Sequence, residues 1–199
     1  MEKERFEWVR SWCDQADQCN LPRILLIGDS ITEGYQAQVR QMLSGVCYVD
    51  YLATSYSIDS KVYNVLVRTM VADSNYAIIH LNHGLHGKHI SKRVYKNKLS
   101  KLLKILTEKS TVILATSTQV RTTNNEGIDL SWERVVKERN EATIACSKEY
   151  NLAVNDLYGI SAKMNLSKRA PDGVHYFENG FADFANCVLK SIRKQLKQL

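Results

Sequence analysis

Two short polar stretches of the sequence hold residue types that could together perform nucleophilic catalysis. Ser30 follows the apolar run RILLIG and an aspartate, and the stretch DGVH places Asp172 three residues before His175. A serine hydroxyl becomes a strong nucleophile when an imidazole takes its proton, and that imidazole needs a partner to fix its tautomer. Within one loop, Asp172 can reach one ring nitrogen of His175 while the other faces outward. These residues therefore predict acyl transfer through Ser30.

Each of these residues also has a purely structural interpretation. Serine is a common helix cap, and His175 could be a surface histidine that precedes a helix. Asp29 is better interpreted as orienting the loop by hydrogen bonds to the backbone than as a chemical participant. A capping serine, however, needs no distant Asp–His pair, so the joint presence of both stretches favours catalysis.

A tetrahedral intermediate also needs hydrogen-bond donors directed at its oxygen. Candidate donors are the Ser30 backbone N–H, the side-chain amide of Asn82, and the backbone N–H groups around Gly84 in the stretch HLNHGLHGKH. Arg121, in the polar stretch 119–131, could contact a polar substrate, although a solvated loop arginine explains it equally well. All of these residues follow predicted strands.

The elements that must position these side chains alternate along the chain. Apolar runs of strand length lie at 23–28, 47–53, 76–82, 111–117 and 152–158, and helical spacing lies near 34–44, 60–72, 91–109, 131–150 and 178–197. Such alternation predicts right-handed crossovers and a parallel sheet covered by helices on both faces. A further helix is expected at 3–18, so that residues 1–20 pack on a single domain spanning 1–199. The carboxyl ends of parallel strands meet at one edge, where open α/β folds bind ligands.

The stretches LLIGDSITEGY and DGVHYFENGF together resemble the first and last sequence blocks of the SGNH (GDSL-type) serine hydrolases, which include esterases and lipases. The likeness extends from about Phe6 to the C-terminus and favours the carbohydrate-esterase-like branch. It implies a flavodoxin-like α/β/α sandwich with a five-stranded parallel sheet in the order 2-1-3-4-5. It also implies Ser30 as nucleophile, His175 as base and Asp172 as its partner, with no cofactor.

The middle blocks depart from the family pattern. The family has a glycine after the second strand whose N–H helps to hold the oxyanion, whereas this chain reads LATSYSIDS. The backbone N–H of Ser55 or Ser57 could serve instead. The third block reads NHGLHG, which places His86 at the family's asparagine position and Asn82 four residues earlier. Either side chain could complete the oxyanion site, and Asn82 is slightly favoured.

Histidine and cysteine spacing predicts no metal site. His80, His83, His86 and His89 straddle a strand end and a loop, and no carboxylate or thiol stands among them at ligand spacing. His80 is predicted to be a core residue of its strand. The five cysteines are scattered without a CxxC pair, which favours reduced thiols. The tryptophans are expected to be helix-packing residues.

The charge pattern and the hydropathy argue against a nucleic-acid-binding protein and against a membrane-spanning one. The net charge is +6, but the lysine-rich stretches 87–104 and 190–199 also carry helical apolar spacing, which favours solvated helix faces over a nucleic-acid partner. No apolar run is long enough for a membrane span, and the first residues lack the apolar core of a signal peptide. We therefore expect a cytoplasmic protein of unknown oligomeric state.

The sequence thus predicts an esterase that acts on a small-molecule ester. The resemblance favours a small acyl group such as acetyl, with an acylated carbohydrate as one candidate substrate. A lysophospholipase or thioesterase is a second hypothesis, although the loops at 54–60 and 119–131 are polar. A non-catalytic carbohydrate- or polyanion-binding module is the third, because the middle blocks are altered.

Overall fold

A computed structural model describes residues 3–198 and contains one six-stranded sheet. The strands are β1 (Val9–Trp12), β2 (Arg23–Gly28), β3 (Tyr48–Thr54), β4 (Tyr76–Asn82), β5 (Thr111–Ala115) and β6 (Ala153–Asn155). Their order in the sheet is β1-β3-β2-β4-β5-β6. All neighbours among β2 to β6 pair in parallel. The predicted order of the five parallel strands is confirmed.

The N-terminal region differs from the prediction. No helix forms at 3–18; instead β1 pairs antiparallel with β3, in the register Val9↔Thr54 to Trp12↔Tyr51, and adds a sixth strand. The physical reason is the otherwise unpaired edge of β3, whose backbone groups need partners. The turn after β1 is fixed by Arg23, whose guanidinium donates to the backbone oxygens of Asp14, Gln15 and Gln18.

Six helices surround the sheet and confirm the five predicted helical segments. They are α1 (Ser30–Met42), α2 (Lys61–Asp73), α3 (Lys92–Leu106), α4 (Leu130–Tyr150), α5 (Leu157–Lys163) and α6 (Glu178–Leu196). Helix α5 is an addition, because the predicted strand 152–158 ends at Asn155 and Asp156 caps a helix by accepting from the Gly159 N–H. None of the helices within residues 3–198 is long and apolar enough to cross a membrane. The compartment stays a prediction.

Two buried clusters form the core, one on each face of the sheet. In one cluster the apolar faces of α1 and α6 pack against alternate residues of β2. In the other cluster α2 and α3 pack against the remaining apolar residues of β2. All six residues of β2 are buried, as expected for a central parallel strand covered on both sides. Its near-continuous apolar sequence therefore follows from its central place.

The register places the candidate residues at one edge of the sheet. Gly28, the last residue of β2, lies opposite Ala53 on β3 and opposite Asn82 on β4. A Cβ at Gly28 would lie 2.4 Å from the Asn82 carbonyl oxygen and 2.0 Å from Thr32 Oγ1, so only glycine allows this approach. The residues that follow β2 and β4 are consequently held side by side.

Candidate active site

The loop between β2 and α1 fixes Ser30 as the first residue of a helix. Asp29, not Ser30, caps this helix: its Oδ1 accepts the Ile31 N–H at 3.0 Å. Asp29 is 1% exposed, and its Oδ2 has no hydrogen-bond partner in the described chain. The Ser30 hydroxyl is therefore not used for capping, which leaves it available for other contacts.

A tight turn before α6 holds Asp172 against His175. Asp172 Oδ1 accepts the backbone N–H groups of Val174 at 2.9 Å and of His175 at 2.8 Å. Gly173 has a φ of +77°, which favours glycine, and its carbonyl accepts the Arg121 N–H at 2.9 Å. The turn is thus tied both internally and to the loop that follows β5.

Ser30, His175 and Asp172 form one hydrogen-bonded chain. His175 Nε2 lies 2.8 Å from Ser30 Oγ, and His175 Nδ1 lies 2.6 Å from Asp172 Oδ2. Burial would raise the pKa of Asp172, but hydrogen bonds from the His175 backbone, the His175 ring and the Val174 backbone hold it below its ordinary value. An ionised Asp172 favours the tautomer with a proton on Nδ1, which leaves Nε2 free to accept the serine proton.

The end of β4 supplies a buried amide beside this chain. Asn82 is 1% exposed, and its side chain hydrogen-bonds to the buried Tyr35 hydroxyl. Gly84, two residues later, is packed so tightly that a Cβ would lie 1.8 Å from Ser117 Oγ. Its place at the end of β4, opposite Gly28, makes this amide a candidate hydrogen-bond donor to a ligand oxygen.

His86 follows in the same loop and contacts the N-terminal segment. Its Nδ1 lies 2.8 Å from Glu4 Oε1. Burial would lower the pKa of His86, but the hydrogen bond to Glu4 and the charges of Asp29 and Glu7 raise it above its ordinary value. The same pairing lowers the pKa of Glu4 against the effect of its burial. The pairing with Glu4 therefore stabilises the protonated form of His86.

The two serines that follow β3 differ in whether their backbone N–H groups are free to bind a ligand. Ser55 is engaged by the N-terminal segment: its N–H donates to the Trp8 carbonyl at 3.3 Å, and its Oγ donates to Glu7 at 2.7 Å. Burial would raise the pKa of Asp59, but hydrogen bonds from the Ser57 and His89 side chains hold it below its ordinary value. The Ser57 backbone N–H has no backbone partner within residues 3–198. Of the two predicted replacements for the missing glycine, Ser57 is the one that these contacts leave available.

A cavity of about 390 Å³ lies beside Ser30 and His175. Ser30, Ser55, Ser57, His86 and His175 line it, whereas Asn82, Gly84 and Arg121 do not. Lining residues that were not predicted come from the N-terminal segment, the loop after β4, α4 and the turn before α6: Lys3, Glu4, Glu7, Leu85, Gly87, Lys88, His89, Trp132 and Val174. Residues 3–7 reach the cavity because β1 pairs with β3. Trp132 was predicted only as a packing residue; it packs against the core and also lines the cavity. Its place directly after the polar stretch 119–131 is the signal that could have indicated a role at the site.

Comparison with known proteins identifies the fold. No protein-family model matches the chain, and no curated protein matches it. Among solved structures, the acetylxylan esterase Axe2 of Geobacillus stearothermophilus is 16% identical with a TM-score of 0.72, covering 86% of this chain and 94% of that one. A member of the lipolytic G-D-S-L family from Veillonella parvula is 23% identical with a TM-score of 0.66, covering 84% and 96%. A protein from Slackia heliotrinireducens, described as an SGNH hydrolase, is 16% identical with a TM-score of 0.69, covering 87% and 100%.

The chain has the SGNH-hydrolase fold. On this fold the remaining predicted site residues have structural contacts of their own. Arg121 donates from its guanidinium to the Asn125 carbonyl at 2.9 Å, within its own loop. Burial lowers the pKa of His80 to about 3 and that of His83 to about 4, so both rings are neutral inside the protein. Within residues 3–198 no three His, Cys, Asp or Glu side chains are grouped as metal ligands would be.

Proposed function

We propose that this protein is a serine ester hydrolase that works through an acyl-enzyme. The observation that carries the proposal is the hydrogen-bonded chain from Asp172 through His175 to Ser30, which opens into the cavity. The SGNH-hydrolase fold and the structural likeness to esterases support it. We also propose that the chain is a single domain, as the sequence predicts.

In the proposed mechanism, Ser30 Oγ attacks the ester carbonyl while His175 Nε2 takes its proton. Asp172 keeps the His175 ring oriented and stabilises the positive charge that it gains. The imidazolium then protonates the leaving alcohol, which departs and leaves an ester on Ser30. Water attacks this ester with His175 again as the base, and release of the acid restores the free serine.

The oxyanion needs donors at the carboxyl ends of β2, β3 and β4. We propose the Ser30 N–H, the Ser57 N–H and the Asn82 side-chain amide. Asn82 is preferred over His86 because it lies opposite Gly28 at the end of β4, whereas His86 already binds Glu4. His86 lines the cavity and is assigned to substrate contact. Asn82→Ala should lower kcat by about 100-fold or more, as loss of one such donor does, while His86→Ala should mainly raise KM.

The cavity favours a small acyl group. Its volume of about 390 Å³ is small, and its apolar lining comes from Leu85, Trp132, Val174 and the carbon stems of polar side chains. A long acyl chain would need a more extended apolar surface. We therefore propose acetyl or a similarly short acyl group, carried by a carbohydrate, in line with the similarity to an acetylxylan esterase.

The test measures hydrolysis of p-nitrophenyl acetate, butyrate and octanoate by wild type, Ser30→Ala and Ser44→Ala. Ser44 is an exposed serine just beyond α1 and serves as the matched control. We expect acetate hydrolysis in wild type and Ser44→Ala and its loss in Ser30→Ala, with all three showing the same circular dichroism. Undiminished turnover in folded Ser30→Ala would refute the assignment. A preference for octanoate would favour a lysophospholipase or thioesterase, and an inactive wild type would favour a binding module.

A further inference from the structure

A basic groove between α2 and α3 lies outside the proposed catalytic chain. It has a volume of about 250 Å³ and is lined by four cationic side chains, Lys61 and Arg68 from α2 and Lys98 and Lys101 from α3. Leu102 and Ile105 supply its apolar lining. Lys61 and Arg68 are seven residues apart, which is about 10 Å along a helix. The cations therefore border an elongated groove on both sides.

The positive charge of this groove is not neutralised within the described chain. On the other side of α3, Lys92 and Lys96 form ion pairs with Glu141 and Glu149 of α4. None of the groove cations forms such a pair with a carboxylate of residues 3–198. Helix α3 contains no acidic residue, and α2 contains none before Asp73. Four cations at a groove with apolar parts create a positive potential that attracts anions.

A side-chain contact links the groove to the candidate active site. Asp59 lines the groove, and its Oδ2 lies 3.4 Å from Nε2 of His89, which lines the cavity that contains Ser30. Asp59 is the one carboxylate among the groove residues, against four cations, so the groove keeps a net positive charge. At the cavity, Lys88 continues the series of cations, with its Nζ 4.7 Å from the centre of the Trp132 ring. A chain bound in the groove would thus lead to Ser30.

The side chains of the groove distinguish between kinds of polyanion. Single-stranded nucleic acids are held largely by bases that stack on aromatic side chains. No aromatic side chain lines this groove; its uncharged lining is the Asn64 amide, Leu102 and Ile105. Cations on both walls and a polar amide suit a chain of hydroxyl-rich rings that carries acidic groups.

We infer that the groove binds an anionic polysaccharide chain and that the proposed esterase removes acyl groups from this acidic glycan. The inference rests on the proposed function, which it deepens by naming the substrate class. The groove cations would hold sugar acids two or more residues away from the ester, while Ser30 acts on the acyl group at the cavity. Binding at a distance from the reacting group would lower KM for the polymer and leave small esters unaffected.

The first experiment measures binding of a galacturonic acid hexamer to Ser30→Ala, so that no turnover is required. Two charge-reversed variants are compared in that background: Lys98→Glu/Lys101→Glu in the groove, and Lys190→Glu/Lys194→Glu on an exposed face of α6. Both change the net charge equally, so they separate the groove from the protein's overall charge. Circular dichroism and thermal melting establish that each variant is folded.

We expect the hexamer to bind more weakly as salt rises, because exposed charges are screened. The groove variant should lose about tenfold or more in affinity, since several exposed ion pairs are lost and repulsion replaces them. The α6 variant should stay within about twofold. Equal losses in both variants, binding of neutral cellohexaose as tight as that of the acidic hexamer, or tighter binding of single-stranded RNA would each overturn the inference.

The second experiment separates this inference from the proposed function. With Ser30 intact, the groove variant should hydrolyse p-nitrophenyl acetate like wild type while its KM for acetylated oligogalacturonate rises about tenfold. Hexamer binding at the groove without any esterase activity would refute the hydrolase and leave the groove as an anionic-glycan site. Activity on p-nitrophenyl acetate without groove-dependent hexamer binding would refute the groove and leave the hydrolase.

Discussion

The replacement of Arg139 by methionine tests how the loop that carries His86 is held. Arg139 lies on α4 and is 1% exposed. Its guanidinium donates to the carbonyls of Gly87 at 2.7 Å and of His86 and Ile90, each at 3.3 Å. No carboxylate of residues 3–198 forms an ion pair with it. Methionine keeps most of the stem but removes all three hydrogen bonds.

Two effects oppose each other in this variant. Three lost hydrogen bonds, at about 1 kcal/mol each, destabilise the fold, although the Gly87 carbonyl keeps the Ile90 N–H at 3.0 Å. Removal of a buried cation stabilises it, because burial penalises the charge and lowers the pKa of Arg139. The carbonyls of His86 and Ile90 lose their donor while partly buried. We expect the lost hydrogen bonds to dominate, with a net loss of about 2 kcal/mol.

Urea unfolding followed by circular dichroism measures this loss. With a slope of about 2 kcal/mol per molar urea, the midpoint should fall by about 1 M. Arg134→Met is the matched control, because Arg134 is exposed on the same helix and its replacement should change stability by less than about 0.5 kcal/mol. An unchanged or higher midpoint for Arg139→Met would show that relief of the buried charge outweighs the hydrogen bonds, contrary to this reasoning.

Three further predictions concern charge and backbone conformation. Glu4→Gln should lower the pKa of His86 in an NMR titration. Because folding raises the pKa of His86, the protonated ring stabilises the fold at pH values below the unfolded pKa of this histidine. That stabilisation is lost as pH rises through the folded pKa of His86. Glu4→Gln should therefore destabilise the protein less at pH 8.5 than at pH 6. Gly173→Ala should cost about 1–3 kcal/mol in urea unfolding, because φ is +77° and a Cβ would lie 2.2 Å from a backbone oxygen; an unchanged midpoint would contradict this. Asp50→Asn should cost about 3 kcal/mol or more, since Asp50 is 1% exposed and pairs with Arg23 at 2.8 Å; a loss below 1 kcal/mol would count against this pair.

The central fold could be predicted because its signals are local. The bounds of β2 and β4 match their apolar runs at 23–28 and 76–82, since central parallel strands must be apolar on both faces. Ser30, Asp172 and His175 stand out because two short stretches together supply the residue types of a nucleophile, a base and the partner of that base. The structure brings these three side chains into contact.

The N-terminal part could not be predicted in the same way, because its conformation depends on distant residues. All four residues of β1 are exposed, so β1 shows no alternation that distinguishes it from a helix. Its strand conformation comes from hydrogen bonds to β3, some 40 residues later in the chain. The contact between Glu4 and His86 follows from that pairing. Local sequence patterns could therefore not predict a role for Glu4.

Two buried arginines explain how irregular loops can hold a site in place beyond the ends of the strands. Arg139 donates to the loop after β4 and lies 4.6 Å from the Tyr95 ring, while Arg169 donates to Gln119 and Ser161 carbonyls and lies 4.9 Å from the Tyr176 ring. A guanidinium has five donors in a fixed plane, so one side chain can satisfy several carbonyls that no neighbouring strand reaches. Stacking on tyrosine fixes the orientation of that plane. The loops on both sides of the cavity are thus held by hydrogen bonds from buried side chains, which is the support that the proposed oxyanion site needs.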